Sequence, residues 1–230
     1  MNVLKLANGR EVNYLNEVEV QILMDENGGK TKYADELDGV EASDITTHKY
    51  EGGFKIWECT IDLCEYIEEN SEFFQGKNVL ELGCGAALPS ILAAIHGANE
   101  VVVQDFNASV IEFFTMPNLA SNEHHAKLSS FAIAWDEVAE KVANRHFDVI
   151  LSSETIYNEA DYMHLHNAIA ATLAENGVAW IAAKFFYFGV GGSVPSFCDF
   201  VNRHGTLTAK EIKVIDASVP RRIVELKRKL

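Results

Sequence analysis

An acid and two closely spaced glycines follow an apolar stretch within residues 79–88, a pattern typical of a strand that turns sharply into a helix. The turn consists of Glu81, Gly83, Cys84 and Gly85. Glycines at such a turn let the backbone approach a nucleotide-like ligand closely. Leu88 stands where a third glycine would complete the dinucleotide pattern, which favours S-adenosylmethionine, a ligand without a pyrophosphate. The Glu81 carboxylate could hydrogen-bond to such a ligand or pair with a cationic part of it.

Two further apolar stretches also end in polar side chains. Residues 101–104 lead into Asp105, about 20 residues after the glycine turn, where an acid suits ribose hydroxyl groups. Residues 147–152 lead into Ser153 and Glu154. Ligands of open α/β sheets bind at the carboxyl ends of the strands. A glycine pair alone would indicate only a strand-to-helix turn, but three polar strand ends at one edge indicate a ligand site.

Strands and helices alternate along most of the chain. Apolar stretches predict strands at 78–82, 100–104, 128–133, 147–152, 177–184, 208–215 and 221–228. Helices are predicted at 57–67, 87–96, 107–121, 136–143, 160–175 and 193–203. The alternation implies an α/β fold with a mainly parallel sheet, and the short last connection implies an antiparallel C-terminal hairpin. This arrangement looks like the seven-stranded, Rossmann-like methyltransferase sheet.

The first 49 residues depart from this alternation. Residues 3–6 and 11–14 flank an Asn-Gly pair and predict a small β-hairpin. Residues 24–48 are polar and acidic, and we expect a loop with partial order. The predicted domains are an N-terminal hairpin and acidic loop extension, 1–49, and an S-adenosylmethionine-dependent methyltransferase domain, 50–230.

Composition limits the possible partners and location. The 230 residues are 48% hydrophobic, which predicts a globular core, and carry a formal net charge of -15. The acidic balance argues against nucleic-acid binding and favours a basic protein partner. We find no signal peptide, no apolar run long enough to span a membrane and no Cys-x-x-Cys spacing among four cysteines. We therefore expect an intracellular protein, cytoplasmic and nuclear, and a monomer.

Six segments, one of which is the glycine turn, carry recognisable motifs. They are residues 50–59, 81–85, 104–107, 117–122, 153–158 and 187–192. The most specific blocks read Tyr-Glu-Gly-Gly followed by Lys-Ile-Trp-Glu, then Ser-Glu-Thr-Ile-Tyr, then Tyr-Phe-Gly-Val-Gly-Gly. In this order they resemble the protein-histidine N-methyltransferase family of seven-β-strand enzymes, from about residue 50 to the end. The resemblance implies S-adenosylmethionine as cofactor and methylation of the tele (Nτ) nitrogen of a histidine in a basic large-subunit ribosomal protein.

Two other functions stay open at this point. A protein-lysine methyltransferase could use the same fold, with an aromatic and anionic site for the acceptor ammonium. A non-catalytic module that binds a ribosomal protein could also retain the fold. The intact glycine turn and Asp105 argue against a loss of cofactor binding.

The resemblance assigns the chemistry to Glu154 and Tyr157. A neutral imidazole already carries a lone pair, so methyl transfer depends mainly on proximity and orientation. Glu154 would orient the other ring N–H and stabilise the developing charge, with Tyr157 as a neighbouring wall. Alternatively, Glu154 caps the following loop or contacts the amino group of the cofactor.

The other predicted contacts each have a structural alternative. Trp57 and Glu58 would line the methionine end of the cofactor and Trp135 the adenine, although tryptophans commonly pack in cores. Asp105 and Asn107 would hold the ribose, although both residue types also cap helices. The predicted cofactor-binding residues are Trp57, Glu58, Glu81, Gly83, Cys84, Gly85, Asp105, Asn107, Trp135 and Ser153.

A glycine-rich loop after a predicted strand is expected to contact the substrate. Its residues Tyr187, Phe188 and Gly189 would form a substrate-binding lip, or else a flexible connector. The eight histidines do not predict a metal site, because none has partners at ligand spacing. We expect His164 and His166 to lie at the surface.

Overall fold

The computed structural model of the chain describes residues 1–38, 49–143 and 145–229. A seven-stranded sheet has the order β5-β4-β3-β6-β7-β9-β8. The strands are β3 (Asn78–Leu82), β4 (Glu100–Asp105), β5 (Lys127–Ala132), β6 (Phe147–Ser153), β7 (Leu173–Lys184), β8 (Leu207–Ile215) and β9 (Arg221–Arg228). β3 to β7 pair in parallel, whereas β9 pairs antiparallel with both β7 and β8. The predicted sheet with its antiparallel C-terminal hairpin is confirmed.

Side chains alternate between two hydrophobic clusters, one on each face of the sheet. Along β3, Val79 belongs to one cluster, and Leu80 and Leu82 belong to the other. The first cluster packs against α4 (Glu58–Glu69) and α5 (Leu88–Ile95), and the second packs against α9 (Tyr162–Thr172) and α10 (Val194–His204). Both faces of the sheet are therefore covered, as a parallel sheet requires. Within the described ranges, no helix is both long and apolar enough to cross a membrane.

The N-terminal region contains more helix than the sequence predicts. β1 (Asn2–Lys5) and β2 (Glu11–Tyr14) form the predicted hairpin. Three helices follow: α1 (Glu17–Glu26), α2 (Gly29–Lys32) and α3 (Ala34–Leu37). The prediction of a loop from residue 24 is therefore wrong up to residue 38, and residues 39–48 lie outside the described residues.

The first helix starts at a capping box that the charged composition obscured. The Asn16 side chain accepts from the Glu19 backbone N–H, while the Glu19 side chain accepts from the Asn16 N–H. Val20 and Met24 on this helix are buried in the same cluster as the first face of the sheet.

The division of the chain into two domains at residue 49 stays a prediction.

The helix predicted at 107–121 contains one wide turn. It comprises α6 (Ala108–Val110), a π-helical turn (Ile111–Thr115) and α7 (Met116–Ala120). Pro117 lies just after that turn and has no N–H to donate, which explains the break in the regular ladder. Asn118, fully buried, accepts from Leu15 N–H at 2.8 Å and donates to the Ala86 carbonyl at 3.1 Å. This helix therefore ties the N-terminal extension to the glycine turn.

Two boundaries differ on the other side of the sheet. α8 (Val138–Lys141) is shorter than predicted because the first residues, Trp135–Glu137, form a 3-10 turn. The helix predicted at 160–175 ends at Thr172, and β7 begins at the next residue. Leu173 pairs with Phe147 ahead of an irregularity in the ladder, so strand pairing overrides the helical pattern there.

Candidate active site

A cleft of about 290 Å³ opens at the carboxyl edge of β3, β4 and β6. The strand ends form its floor, and the segment 49–57, which we call the strap, lies across it. Nine of the predicted site residues line the cleft: Trp57, Gly83, Cys84, Gly85, Asp105, Trp135, Ser153, Glu154 and Tyr157. The structure thus brings the three polar strand ends together.

Both glycines of the turn are required by geometry. Gly83 and Gly85 have φ angles of +65° and +47°, in the left-handed region that side chains disfavour. A Cβ atom on Gly85 would lie 3.0 Å from the Gly53 carbonyl oxygen, and one on Gly83 would lie 2.8 Å from the Thr155 methyl group. The turn therefore has no room for side chains against the strap and the end of β6.

Asp105 is the buried acid of the cleft. Its Oδ2 accepts from Gly85 N–H at 2.9 Å, and its Oδ1 accepts from Asn107 N–H at 3.2 Å. Burial raises the pKa of this carboxyl group to about 6, although the backbone donors oppose the shift. The acid closes the glycine turn while its carboxylate still borders the cleft.

Asn107 does not line the cleft but anchors the strap. Its Nδ2 donates to the Lys49 carbonyl at 2.7 Å, and its Oδ1 accepts from Glu51 N–H at 3.2 Å. The Tyr157 hydroxyl donates to the Glu51 carboxylate from the opposite side of the cleft. The predicted contact of Asn107 with the ribose stays a prediction. The observed hydrogen bonds show that Asn107 also positions the strap.

Gln104 is a cleft residue that the sequence reasoning missed. Its Oε1 accepts from Gly83 N–H and from Trp135 Nε1–H, both at 3.1 Å. Its Nε2 donates to the Ile133 carbonyl at 2.7 Å. The amide therefore connects the glycine turn to Trp135, and a buried glutamine at the end of an apolar strand was the available signal.

Glu154 follows β6 in a left-handed conformation, with a φ of +56°. The residue is 9% exposed, lines the cleft, and its Oε1 has no hydrogen-bond partner among the described residues. Burial, followed by the negative charge of Glu154, raises the pKa of the Cys59 thiol and the Tyr187 hydroxyl. A positive φ at a non-glycine residue is uncommon and is typical of functional sites.

Lys184 lies beside Glu154 at the end of β7, and the sequence reasoning did not include it. Its Nζ lies 3.6 Å from Glu154 Oε1 and 3.3 Å from Glu58 Oε2. Glu58 does not line the cleft, and its pKa is lowered first by its own backbone N–H and then by Lys184. The signal for Lys184 was a single cation in an otherwise apolar strand.

Glu81 points away from the cleft, behind the glycine turn. The residue is fully buried, its Oε2 accepts from Ser90 N–H at 3.0 Å, and its Oε1 has no partner among the described residues. Burial raises the pKa of this carboxyl group to about 8. Glu81 thus accepts a backbone N–H from the first turn of α5. The predicted contact of Glu81 with the ligand stays a prediction.

Replacing Glu81 with glutamine should change how stability depends on pH. In the folded protein the Glu81 carboxyl group stays protonated up to about pH 8, whereas in the unfolded chain its pKa is about 4.5. Its contribution to stability is therefore fully present below pH 4.5 and is lost as pH rises through 8. E81Q lacks this loss and should gain on the order of 2–4 kcal/mol relative to wild type between pH 5 and pH 8. Chemical denaturation at several pH values measures the difference, with E72Q at an exposed position as control. A difference that does not vary with pH would contradict the assignment.

The predicted lip residues lie beside the cleft rather than in it. Tyr187 N–H donates to the Gly192 carbonyl at 2.9 Å, and Gly192 N–H donates to the Tyr157 carbonyl at 2.8 Å. The Tyr187 hydroxyl accepts from Lys184 N–H at 3.2 Å, whereas Phe188 is 86% exposed. The loop thus presents Phe188 to solvent next to the Tyr157 side of the cleft.

The two helix histidines have different environments. His164 is exposed and lines the mouth of the cleft. His166 is 1% exposed and packs against Phe200 and against His204, with ring centroids 4.4 Å apart in the second pair. The prediction of a surface position is wrong for His166, because the face of α9 that carries it packs against α10. No group of three metal-ligating side chains occurs within the described ranges.

Comparisons with known proteins show what the chain is similar to. A family model described as Lysine methyltransferase matches residues 41–185. A histidine protein methyltransferase 1 homolog from Bos taurus is 35% identical over 213 residues, which covers 80% of this chain and 57% of the relative. Its counterpart from Dictyostelium discoideum is 37% identical over 195 residues, covering 83% and 62%. The chain thus spans about three fifths of the length of these relatives, and the predicted resemblance is confirmed.

Solved structures support the fold. A TehB-like SAM-dependent methyltransferase from Corynebacterium glutamicum has a TM-score of 0.55 at 16% identity. The match covers 88% of this chain and 100% of that one. At this identity the likeness shows the methyltransferase fold alone.

Proposed function

Because the chain belongs to the family described as Lysine methyltransferase, we propose that it transfers a methyl group from S-adenosylmethionine to a protein, with histidine as the acceptor. The observation that carries the proposal is the buried Glu154 carboxylate, which borders the cleft and has one oxygen that receives no hydrogen bond from the described residues. The histidine assignment is supported by the relatives named histidine protein methyltransferase.

The residues of the cleft fit the cofactor. The glycine turn leaves no side chain between the backbone and a bound nucleoside, and Asp105 presents a buried carboxylate to ribose hydroxyl groups. Trp135, Trp57 and Ser153 line the same cleft. Trp57 and Glu154 both lie next to Lys184. When bound, the cofactor supplies a methyl group on a positively charged sulfur.

The acceptor chemistry then depends on position and charge. Attack by the Nτ lone pair of the imidazole would form the bond to the methyl group that the cofactor supplies, and the electron pair of the broken carbon–sulfur bond would remain with the cofactor. The ring becomes positively charged until its Nπ–H proton is lost to a base. Glu154 would accept that N–H in a hydrogen bond, which selects the tautomer that attacks and stabilises the developing charge. Tyr157, fixed by Glu51, would form a wall beside the ring.

The substrate is proposed to be a basic ribosomal protein of the large subunit, methylated at Nτ. Carboxylates of Glu51, Asp136 and Asp161 line the cleft, and the chain carries a formal net charge of -15. Such a field favours a basic partner by electrostatic attraction. The ribosomal identity and the Nτ position rest on the motif resemblance. A location in cytoplasm and nucleus follows from that substrate, and the monomeric state stays a prediction.

Phe188 should contribute to docking of the protein substrate. An exposed aromatic side chain beside an active site can bury most of its area on binding. F188A should raise KM for the protein substrate about tenfold and leave cofactor affinity and kcat within about twofold. Steady-state kinetics with the unmethylated ribosomal protein as substrate measures this change. V214A, at an exposed position on β8, is the matched control, and an equal effect of both substitutions would contradict the role.

Label transfer tests the proposed function. The chain is incubated with S-adenosylmethionine carrying a radioactive methyl group and with acid-extracted ribosomal proteins, and the products are hydrolysed to amino acids. We expect label in tele-methylhistidine. Label in methyllysine alone would assign the chain to the lysine enzymes. Absence of label despite measurable cofactor binding would favour a non-catalytic module that binds ribosomal proteins.

A further inference from the structure

Lys184 pairs with Glu154, the carboxylate that is proposed to contact the acceptor. Its ammonium group pairs with Glu154 at 3.6 Å and with Glu58 at 3.3 Å, and only 20% of its side chain is exposed. β9 pairs with β7 up to this residue, so the lysine stem extends from a strand held on both sides. Its position is therefore set by the sheet and not by a mobile loop.

The same ammonium also contacts the ring of Trp57, which lines the cleft. Lys184 Nζ lies 5.1 Å from the ring centroid of Trp57, and Lys55 Nζ lies 4.7 Å from it. Both distances are within the range of a cation–π interaction. Two ammonium groups of the chain itself thus occupy the ring that would otherwise attract a cationic acceptor.

Glu154 nevertheless keeps hydrogen-bonding capacity. Lys184 Nζ, at 3.6 Å, is close enough for charge pairing but too far for a hydrogen bond. Glu154 Oε1 is buried at the cleft wall without a hydrogen-bond donor from the described residues. The carboxylate can therefore accept an N–H from a neutral ring, while it shares the Lys184 ammonium group with Glu58.

We propose that Lys184 is a specificity-determining residue, which excludes a lysine acceptor and so selects the neutral imidazole of histidine. A lysine side chain has a pKa of about 10.4, so it arrives as an ammonium ion and must lose a proton to water before its nitrogen can attack. This ammonium ion would be repelled by the ammonium group of Lys184, which already contacts the Glu154 carboxylate and the Trp57 ring. An imidazole brings a lone pair and no net charge, so it meets no such repulsion. The inference rests on the proposed function, since it explains the choice of acceptor.

The test compares K184M with K184R. K184M removes the charge and keeps an unbranched side chain of similar length, whereas K184R keeps the charge. The probes are the ribosomal protein that wild type methylates and its variant with lysine at the acceptor position. We measure kcat/KM for both, and the affinity for S-adenosylhomocysteine by calorimetry. K184Q is the second uncharged variant, used if K184M fails to fold.

The ratio of kcat/KM for the lysine acceptor to that for the histidine acceptor should rise at least tenfold in K184M. In K184R this ratio should stay within about twofold of the wild-type ratio. The affinity for S-adenosylhomocysteine should stay within about threefold of wild type in both K184M and K184R. An unchanged ratio in K184M and K184Q would overturn the inference. A tenfold loss of affinity with an unchanged ratio would also overturn it, and would assign Lys184 to the cofactor.

The proposed function fails separately, if the wild-type protein methylates no histidine at all. In that case no acceptor position exists for the comparison, and the inference falls with the function. Methylation of histidine by wild type with an unchanged ratio in the variants refutes the inference alone.

Discussion

Replacement of Asp105 by asparagine is expected to weaken S-adenosylmethionine binding by roughly 30-fold or more. The carboxylate closes the glycine turn through Gly85 N–H and borders the cleft, so its loss removes a charge-assisted hydrogen bond from the turn and those proposed to the ribose. Each such bond is worth on the order of 1.5–3 kcal/mol, which corresponds to about 10- to 100-fold in affinity. Isothermal titration calorimetry measures the dissociation constant.

The matched control is D199N, which removes an equal charge from the exposed face of α10, away from the cleft. Its affinity for S-adenosylmethionine should stay within about twofold of wild type. If D105N binds the cofactor as tightly as D199N does, the ribose assignment is wrong and Asp105 serves only the turn and the helix start.

The same affinity should depend on pH through Asp105. The free carboxyl group has a pKa raised to about 6 by burial, and only the ionised form accepts two ribose hydroxyl groups. The affinity for S-adenosylmethionine should therefore be highest above about pH 7. It should fall as pH drops through 6, by up to about tenfold per pH unit. D105N should lack this fall, so an equal pH dependence in both proteins would exclude Asp105 as its source.

Replacement of Glu154 by glutamine should reduce kcat by about 100- to 1,000-fold and leave cofactor affinity within about threefold. Glutamine keeps an oxygen for the ring N–H but has no negative charge to stabilise the imidazolium that forms, and a fixed charge at a buried site has a large effect. Single-turnover kinetics with the unmethylated ribosomal protein as substrate measures the chemical step directly.

E58Q controls for the pairing with Lys184. Glu58 contacts the same ammonium but does not line the cleft, so its amide variant should retain turnover within about threefold. Unchanged turnover in E154Q would indicate that Glu154 only caps its loop. A large loss of cofactor affinity in E154Q would instead place Glu154 at the amino group of the cofactor.

The sheet and the floor of the site could be predicted because their determinants are local. Apolar stretches mark β3, β4 and β6, and parallel strands necessarily bring Gly85, Asp105 and Glu154 to one edge. The positive φ angles at Gly83 and Gly85 likewise agree with the spacing of the glycines. Gly83, Cys84, Gly85, Asp105, Ser153 and Glu154 meet in the cleft because of this arrangement of strands and turns. Trp57, Trp135 and Tyr157 also line the cleft, but they were predicted from the motif resemblance.

The remaining features depend on contacts between residues far apart in the chain. The orientation of Glu81 is decided by Ser90 on α5, and the strap is placed by Asn107 and Tyr157. Lys184 becomes relevant only because β7 lies next to β6, which carries Glu154 at its end. None of these pairings leaves a periodic signal in the sequence. The capping box of α1, by contrast, is a local motif that the sequence does contain, and it could have predicted the start of this helix.

Tandem mass spectrometry of the product tests the central claim most directly. The chain is incubated with S-adenosylmethionine carrying a deuterated methyl group and with large-subunit ribosomal proteins, and fragment ions locate the heavy methyl group on a single residue. The account predicts a heavy methyl group on one histidine of a basic protein, absent when D105N replaces the wild type. A heavy methyl group on lysine, with no modified histidine, would contradict it.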